Sequence, residues 1–162
     1  MRRFFQSFAY AWRGIRLCVA ERNFRFHLSL TVYMLTYLLL YDWFRLTRLD
    51  WAVLIVCIAM VLGTEAINTA IEHLTDLVSP GKHPLAAKAK DAAAGAVLLS
   101  SLGAVGAGVS ILWQPGAFDA MFSYYQQQPW LLIVLGLSLV LTGVFIIGPN
   151  NLNLTETDSK KK

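Results

Sequence analysis

Charge is in short supply in this chain of 162 residues: only 15% are Asp, Glu, Lys or Arg, where a soluble domain carries about a quarter. Cysteine is scarcer still. Cys18 and Cys57 are the only two, which excludes a disulfide-rich secreted scaffold and leaves both as apolar fillers. No Gly-x-x-x-x-Gly-Lys-Ser/Thr occurs, so a P-loop is excluded. "GAVGAG" (103–108) follows no strand and is not read as a dinucleotide loop. The basic N-terminus is not followed by a short apolar core and a small-residue cleavage site, so no cleavable signal is expected. No internal repeat is evident.

What is abundant is apolar surface, at 56% of residues. Residues 28–44, 92–113 and 130–147 each approach the ~20 residues that a membrane-crossing helix needs. Residues 51–62 are too short alone, but become a long span if the helix continues through 63–77. The expected fold is therefore all-α and integral to a membrane. It comprises an interfacial helix (1–26), a three-span core (27–113), an external loop (114–129), a fourth span (130–148) and a disordered tail (149–162).

Basic residues alternate along this plan. Six arginines lie within residues 1–25; Lys82, Lys88 and Lys90 follow the second span; Lys160, Lys161 and Lys162 end the chain. Residues 114–129 have neither Lys nor Arg. The positive-inside rule then puts both termini in the cytoplasm. The net charge of +4 reads as orientation and lipid headgroup contact, not nucleic-acid binding. Phe5, Phe8, Trp12, Ile15 and Val19 share one face of the first helix, as in an amphipathic helix lying on a membrane. "SPGKHP" (79–84) must break the second span. Gly103 and Ala107, four apart, offer a small face for close helix packing.

The stretch "GTEAINTAIEHLTD" (63–76) is anomalous for a membrane helix. Project it at about 100° per residue with Glu65 at zero. Asn68 then falls at about 300°, Glu72 at about 340° and Asp76 at about 20°. The four share one narrow stripe; His73 does not. Ionisable groups in membrane helices face an interior or a wet cavity. Clustered carboxylates repel one another, and a divalent cation relieves that. Carboxylate and amide oxygens suit Mg²⁺ completed by substrate phosphates. Lys88 and Lys90 follow at the start of the next helix, where lysines and a helix N-terminus both favour phosphate.

At these residues the sequence resembles the prokaryotic diacylglycerol kinase family, which includes the undecaprenol kinases. The resemblance covers roughly residues 3–112 and rests on "ERNFRFHL" (21–28), "EAINTAIEHLTDLVSPGKHPLAAKAKD" (65–91) and "AAGAVLL" (93–99). It implies a bacterial cytoplasmic-membrane lipid kinase that moves the γ-phosphate of MgATP onto diacylglycerol or undecaprenol. It also implies a homotrimer, with active sites shared between subunits at the cytoplasmic face. By resemblance, Glu65 is the general base, Glu21 and Glu72 hold metal, and Asn68 positions substrate and nucleotide. Lys90 meets the ATP phosphates; Asp76, Asp91 and His83 lie on the nucleotide side. Glu21 is left to come from the same chain or a neighbour. His27 stands where enterobacterial diacylglycerol kinases have an acidic residue, and "ERNFRFH" looks closer to undecaprenol kinases. The fourth span lies outside the family's three-span core, carries only Ser138 and Thr142 as polar groups, and is expected to stand apart from the chemistry.

Two other classes fit less of the sequence. An ion or proton channel would use Glu65, Glu72 and Asp76 as a relay, but leaves Lys88, Lys90 and Asp91 unexplained and finds no relay group in 51–62. A structural subunit packing through Gly103 and Ala107 leaves the carboxylate stripe uncompensated.

Overall fold

The computed structural model describes residues 2–149; the expected tail and its three lysines lie outside the described residues. Six helices follow one another: α1 (Arg2–Ala20), α2 (Arg22–Leu40), α3 (Arg48–Val78), α4 (Pro84–Leu112), α5 (Pro115–Gln127) and α6 (Trp130–Ile147). The protein is all-α and integral to a membrane.

Among the described residues, α3, α4 and α6 are long and apolar enough to cross a bilayer. The expected first span, now α2, is not among them. Its opening turns carry Arg22, Asn23, Arg25 and His27, which leaves only residues 28–40 as an apolar run. By length and composition, three helices qualify where four spans are expected.

α3 runs unbroken from the apolar 51–62 stretch through the polar stripe, because no breaker occurs before Ser79 and Pro80. It starts on a capping box. Thr47 accepts from the Asp50 backbone N–H, and the Asp50 carboxylate accepts from the Thr47 backbone N–H. α4 starts at Pro84, where the missing N–H is no loss. His83 Nδ1 caps it by accepting from the Leu85 N–H at 3.2 Å. The two helices form an antiparallel hairpin, the most closely packed pair in the chain.

α6 lies antiparallel to α2, and the contacts fix the register. Arg25 at the start of α2 meets Phe145 and Gly148 at the end of α6. Tyr33 Oη donates to Ser138 Oγ and shares a hydrogen bond with Thr142 Oγ1, each at 3.0 Å. Tyr37 bonds Tyr125 at 2.6 Å. The end of α1 and the end of α6 therefore sit at the same end of the bundle.

Two boundaries differ from the sequence expectation. α1 ends at Ala20, not near residue 26: Glu21 is extended (φ −81°, ψ 135°) and opens α2, so Arg22, Asn23 and Arg25 belong to the next helix. The 114–129 segment is not a loop: 115–127 is helical. Pro115 is preset for a helix start, and Pro129 disfavours helical backbone at Gln128, where α5 ends. Its Tyr124 and Tyr125 join Tyr37, Tyr41 and Trp43 in a ring cluster, with Tyr41 stacked on Trp43 at 4.1 Å. An added Cβ at Gly103 would meet nothing within 4 Å, so the small stripe of α4 is unpartnered there within one chain.

Candidate active site

The buried residues of α3 are Leu54, Val61, Glu65, Asn68 and Thr69. The stripe that forms the apolar core in the upper half of the helix thus becomes polar in its lower half without changing face. Glu65 is 2% exposed and Asn68 4%. A carboxyl buried this deeply in a membrane helix is costly unless it faces a wet cavity.

Glu65 lines two small cavities that polar side chains border. One, of about 200 Å³, is lined by Glu21, Arg22, Asn23, Glu65, Thr69 and Glu72. The other, of about 180 Å³, is lined by Asn23, Phe26, His27, Glu65, Asn68, Glu72, Ala94 and Val97. Glu21, more than forty residues away in sequence, is brought beside Glu65 and Glu72 within one chain. Glu21 also approaches His73 Nε2 at 3.7 Å, which ties the α1–α2 junction to α3.

Asn68 is oriented by its neighbour one turn on. Its Nδ2 donates to Glu72 Oε1 at 2.9 Å. Its Oδ1 is buried and, among the described residues, has no donor. Such an acceptor costs roughly 1–3 kcal/mol if nothing fills it, so this oxygen is a place for a ligand. Among the described residues, no three His, Cys, Asp or Glu side chains converge as a complete metal cage. The donor set instead fits Mg²⁺ held by few protein carboxylates, with phosphate oxygens and waters completing the shell. Glu21 and Glu72 both line the cavity of about 200 Å³.

A second compartment lies one turn further, about 6 Å along the α3 axis from Glu72. This pocket of about 420 Å³ is lined by Asp76, Ser79, Gly81, Lys82, His83, Pro84, Ala86, Ala87 and Lys90. Lys90 Nζ is paired with Asp76 Oδ1 at 2.5 Å, so the cation is held at the wall of the pocket. His83 both caps α4 and lines this pocket. Asp91 is exposed and lines neither compartment; Lys88 is exposed also.

The sequence pattern does not single out Asn23 and Thr69, yet both line the carboxylate cavity. A signal for Thr69 exists: it projects at about 40° on the same helical stripe. None exists for Asn23, because its place depends on the break at Glu21. Cys18 is buried near the site, where burial first, and then Glu21 and Glu65, push its thiol up from the ordinary value. It stays a neutral thiol, in keeping with a filler. An apolar groove of about 590 Å³ between α2, α3 and α4 runs from Val109 down to Phe26 and His27. Those two residues also line the polar cavity beside Glu65, so apolar groove and carboxylate site share a wall.

Comparison with known proteins decides the family. Residues 9–112, well over half of the chain, match the prokaryotic diacylglycerol kinase family. The chain belongs to that family. It is 43% identical over 98 residues to an undecaprenol kinase of Bacillus subtilis, covering 60% of this chain and 77% of that one. It is 41% identical over 111 residues to a diacylglycerol kinase of Synechocystis, covering 67% of this chain and 62% of that one. With a diacylglycerol kinase of Escherichia coli it shares 29% over 112 residues, covering 68% and 89%. No solved structure matches. The matched family region spans α2, α3, α4 and most of α1 and leaves α5 and α6 outside it. The family is one of bacterial membrane lipid kinases, and all the site residues expected from sequence lie within the matched region.

Proposed function

We propose that the chain transfers the γ-phosphate of ATP to the hydroxyl of a membrane lipid alcohol, diacylglycerol or a polyprenol such as undecaprenol. The reaction takes place at the cytoplasmic face of a bacterial cytoplasmic membrane, with both termini in the cytoplasm. The observation that carries this reading is the buried Glu65 lining two small polar cavities, both of which it shares with Glu72 and one of them with Glu21.

Glu65 is the general base. Its carboxylate takes the proton of the lipid hydroxyl as that oxygen bonds the γ-phosphorus; the bond to the β-phosphate oxygen breaks and ADP leaves. A positioned base of this kind contributes roughly 10²–10⁴-fold. The groove ending at Phe26 and His27 lets an apolar chain lie along α2 while its hydroxyl reaches Glu65. Asn68, held by Glu72, presents Oδ1 toward the reacting groups. Lys90 leaves Asp76 to meet the phosphates, and His83 and Asp76 border the nucleotide pocket. Asp91, exposed on α4 and outside the pocket lining, is assigned to the nucleotide side by the family resemblance alone. Glu21 and Glu72 would hold Mg²⁺, which when bound would supply charge neutralisation for the transferred phosphoryl group. Phosphoryl transfer asks the protein for positioning and electrostatics, which is what these residues offer.

We take the working form to be a homotrimer. The support is the open small-residue face of α4 at Gly103 and the many apolar side chains that a single chain leaves uncovered. Purified protein in detergent, given labelled ATP with diacylglycerol or a polyprenol, tests the reading. Label on one of the lipids is the expected result. ATP turnover with no lipid product, or none at all, overturns it.

A further inference from the structure

The helix outside the family match ends against a residue four positions from the metal-side carboxylate Glu21. That residue, Arg25, is buried, 8% exposed. Its Nη1 donates to the carbonyls of Phe145 (2.5 Å) and Gly148 (3.1 Å), at the end of α6. Its Nη2 donates to the Ala20 carbonyl (3.1 Å), at the end of α1. The guanidinium also lies 5.6 Å from the Phe145 ring centroid. One planar cation thus serves the free carbonyls of two helix C-termini, where the helix dipole favours positive charge.

Between α1 and α2 stands Glu21. It is the single extended residue joining them; its N–H bonds Cys18 O at 2.9 Å, and its carbonyl accepts from Arg25 N at 3.0 Å. A one-residue joint leaves the angle between two helices free unless something outside the joint ties them. The Glu21–His73 approach ties the joint to α3; Arg25 ties it to α6, with two of its three side-chain hydrogen bonds going to the end of that helix.

We propose that Arg25 is a positioning residue for Glu21, and that α6 is what it works against. α6 therefore belongs to the metal side of the site through the backbone at its end, although it has no ionisable side chain. This revises the expectation that α6 stands apart from the chemistry. It rests on the reading of Glu21 as a metal-holding carboxylate given above.

Two variants of the full chain approach the tie from opposite sides. Arg25→Gln removes the cation. Gly148→Ala disturbs the acceptor: a Cβ there would lie 2.7 Å from the Val144 carbonyl oxygen and 3.9 Å from Arg25 Nη1, so the end of α6 must shift. Each should speed hydrogen exchange of the Glu21 and Arg25 amides. Each should also raise the half-saturating Mg²⁺ roughly tenfold, the lower end of the effect of removing a group that orients a metal ligand, with KM for lipid unchanged. In a Glu21→Gln background, Arg25→Gln should add nothing further to the Mg²⁺ requirement. Unchanged exchange in both variants overturns the proposal. So does a Mg²⁺ effect of Arg25→Gln that is as large without Glu21 as with it, since that marks a general structural role. Failure of the wild type to phosphorylate any lipid sinks the kinase reading before any variant is made. Mn²⁺ binding followed by electron paramagnetic resonance then runs the same cycle without turnover. Weaker binding in Arg25→Gln that vanishes as a difference once Glu21 is removed supports the tie, and an equal loss in both backgrounds overturns it.

Discussion

α3 and α6 are both long apolar helices, yet they spend their polar groups differently. Those of α6 are Ser138 and Thr142, and both are bonded to Tyr33 of α2. Nothing is left over for a ligand. In α3, Asn68 Oδ1 has no donor among the described residues, and Glu65 faces two cavities. Polar groups in a membrane helix that are satisfied by neighbours mark packing. A buried polar group left unsatisfied beside a cavity, as Asn68 Oδ1 is, has room for a further partner.

The sharpest way to break this contrast is Glu65→Gln. It keeps the shape and removes the base, and should lower turnover about 10²–10⁴-fold with nucleotide binding retained. Binding of a fluorescent nucleotide alongside the lipid assay checks both halves. A variant that keeps more than about a tenth of the rate contradicts the base role. Glu72→Gln comes next. It removes the charge of a carboxylate proposed to hold metal but leaves an amide oxygen that can still accept from Asn68 Nδ2, so it should raise the half-saturating Mg²⁺ by about tenfold or more, read from a Mg²⁺ titration of the rate. Lys90→Met should raise KM for ATP about 10- to 150-fold, the cost of one charge-assisted contact of about 1.5–3 kcal/mol, while KM for lipid stays put. On the packing side the effects shrink. Tyr33→Phe removes the bonds to Ser138 and Thr142 and should cost about 1 kcal/mol, two interhelical hydrogen bonds of roughly 0.6 kcal/mol each in a membrane. Thermal unfolding in detergent should detect it, with the kinase rate unaltered.

What can be read from the residues alone follows the range of the interactions. The stripe of Glu65, Asn68, Glu72 and Asp76 needs only a helical period and the absence of a breaker before Ser79, so it is legible. The α3 capping box is local too, since Thr47 and Asp50 stand three apart. The helix of 115–127 is masked by Pro115 and Gly116, which suggest a loop until the proline is placed at the first helical position. The break at Glu21 is hidden because nothing in the local sequence, neither proline nor glycine, marks it. Arg25 meets Phe145 across 120 residues, and no local pattern announces a contact of that separation. The pairing of Lys90 with Asp76 is of intermediate kind. Both residues stand out as nucleotide-side groups, but their mutual ion pair depends on the angle of the α3–α4 hairpin.

The most direct test of the account is transfer of label from γ-labelled ATP to lipid by the purified wild-type chain, with Glu65→Gln beside it. The account predicts a phosphorylated lipid alcohol that requires Mg²⁺ and is lost in the variant. Label that appears equally with Glu65→Gln, or never appears on a lipid with either protein, contradicts it.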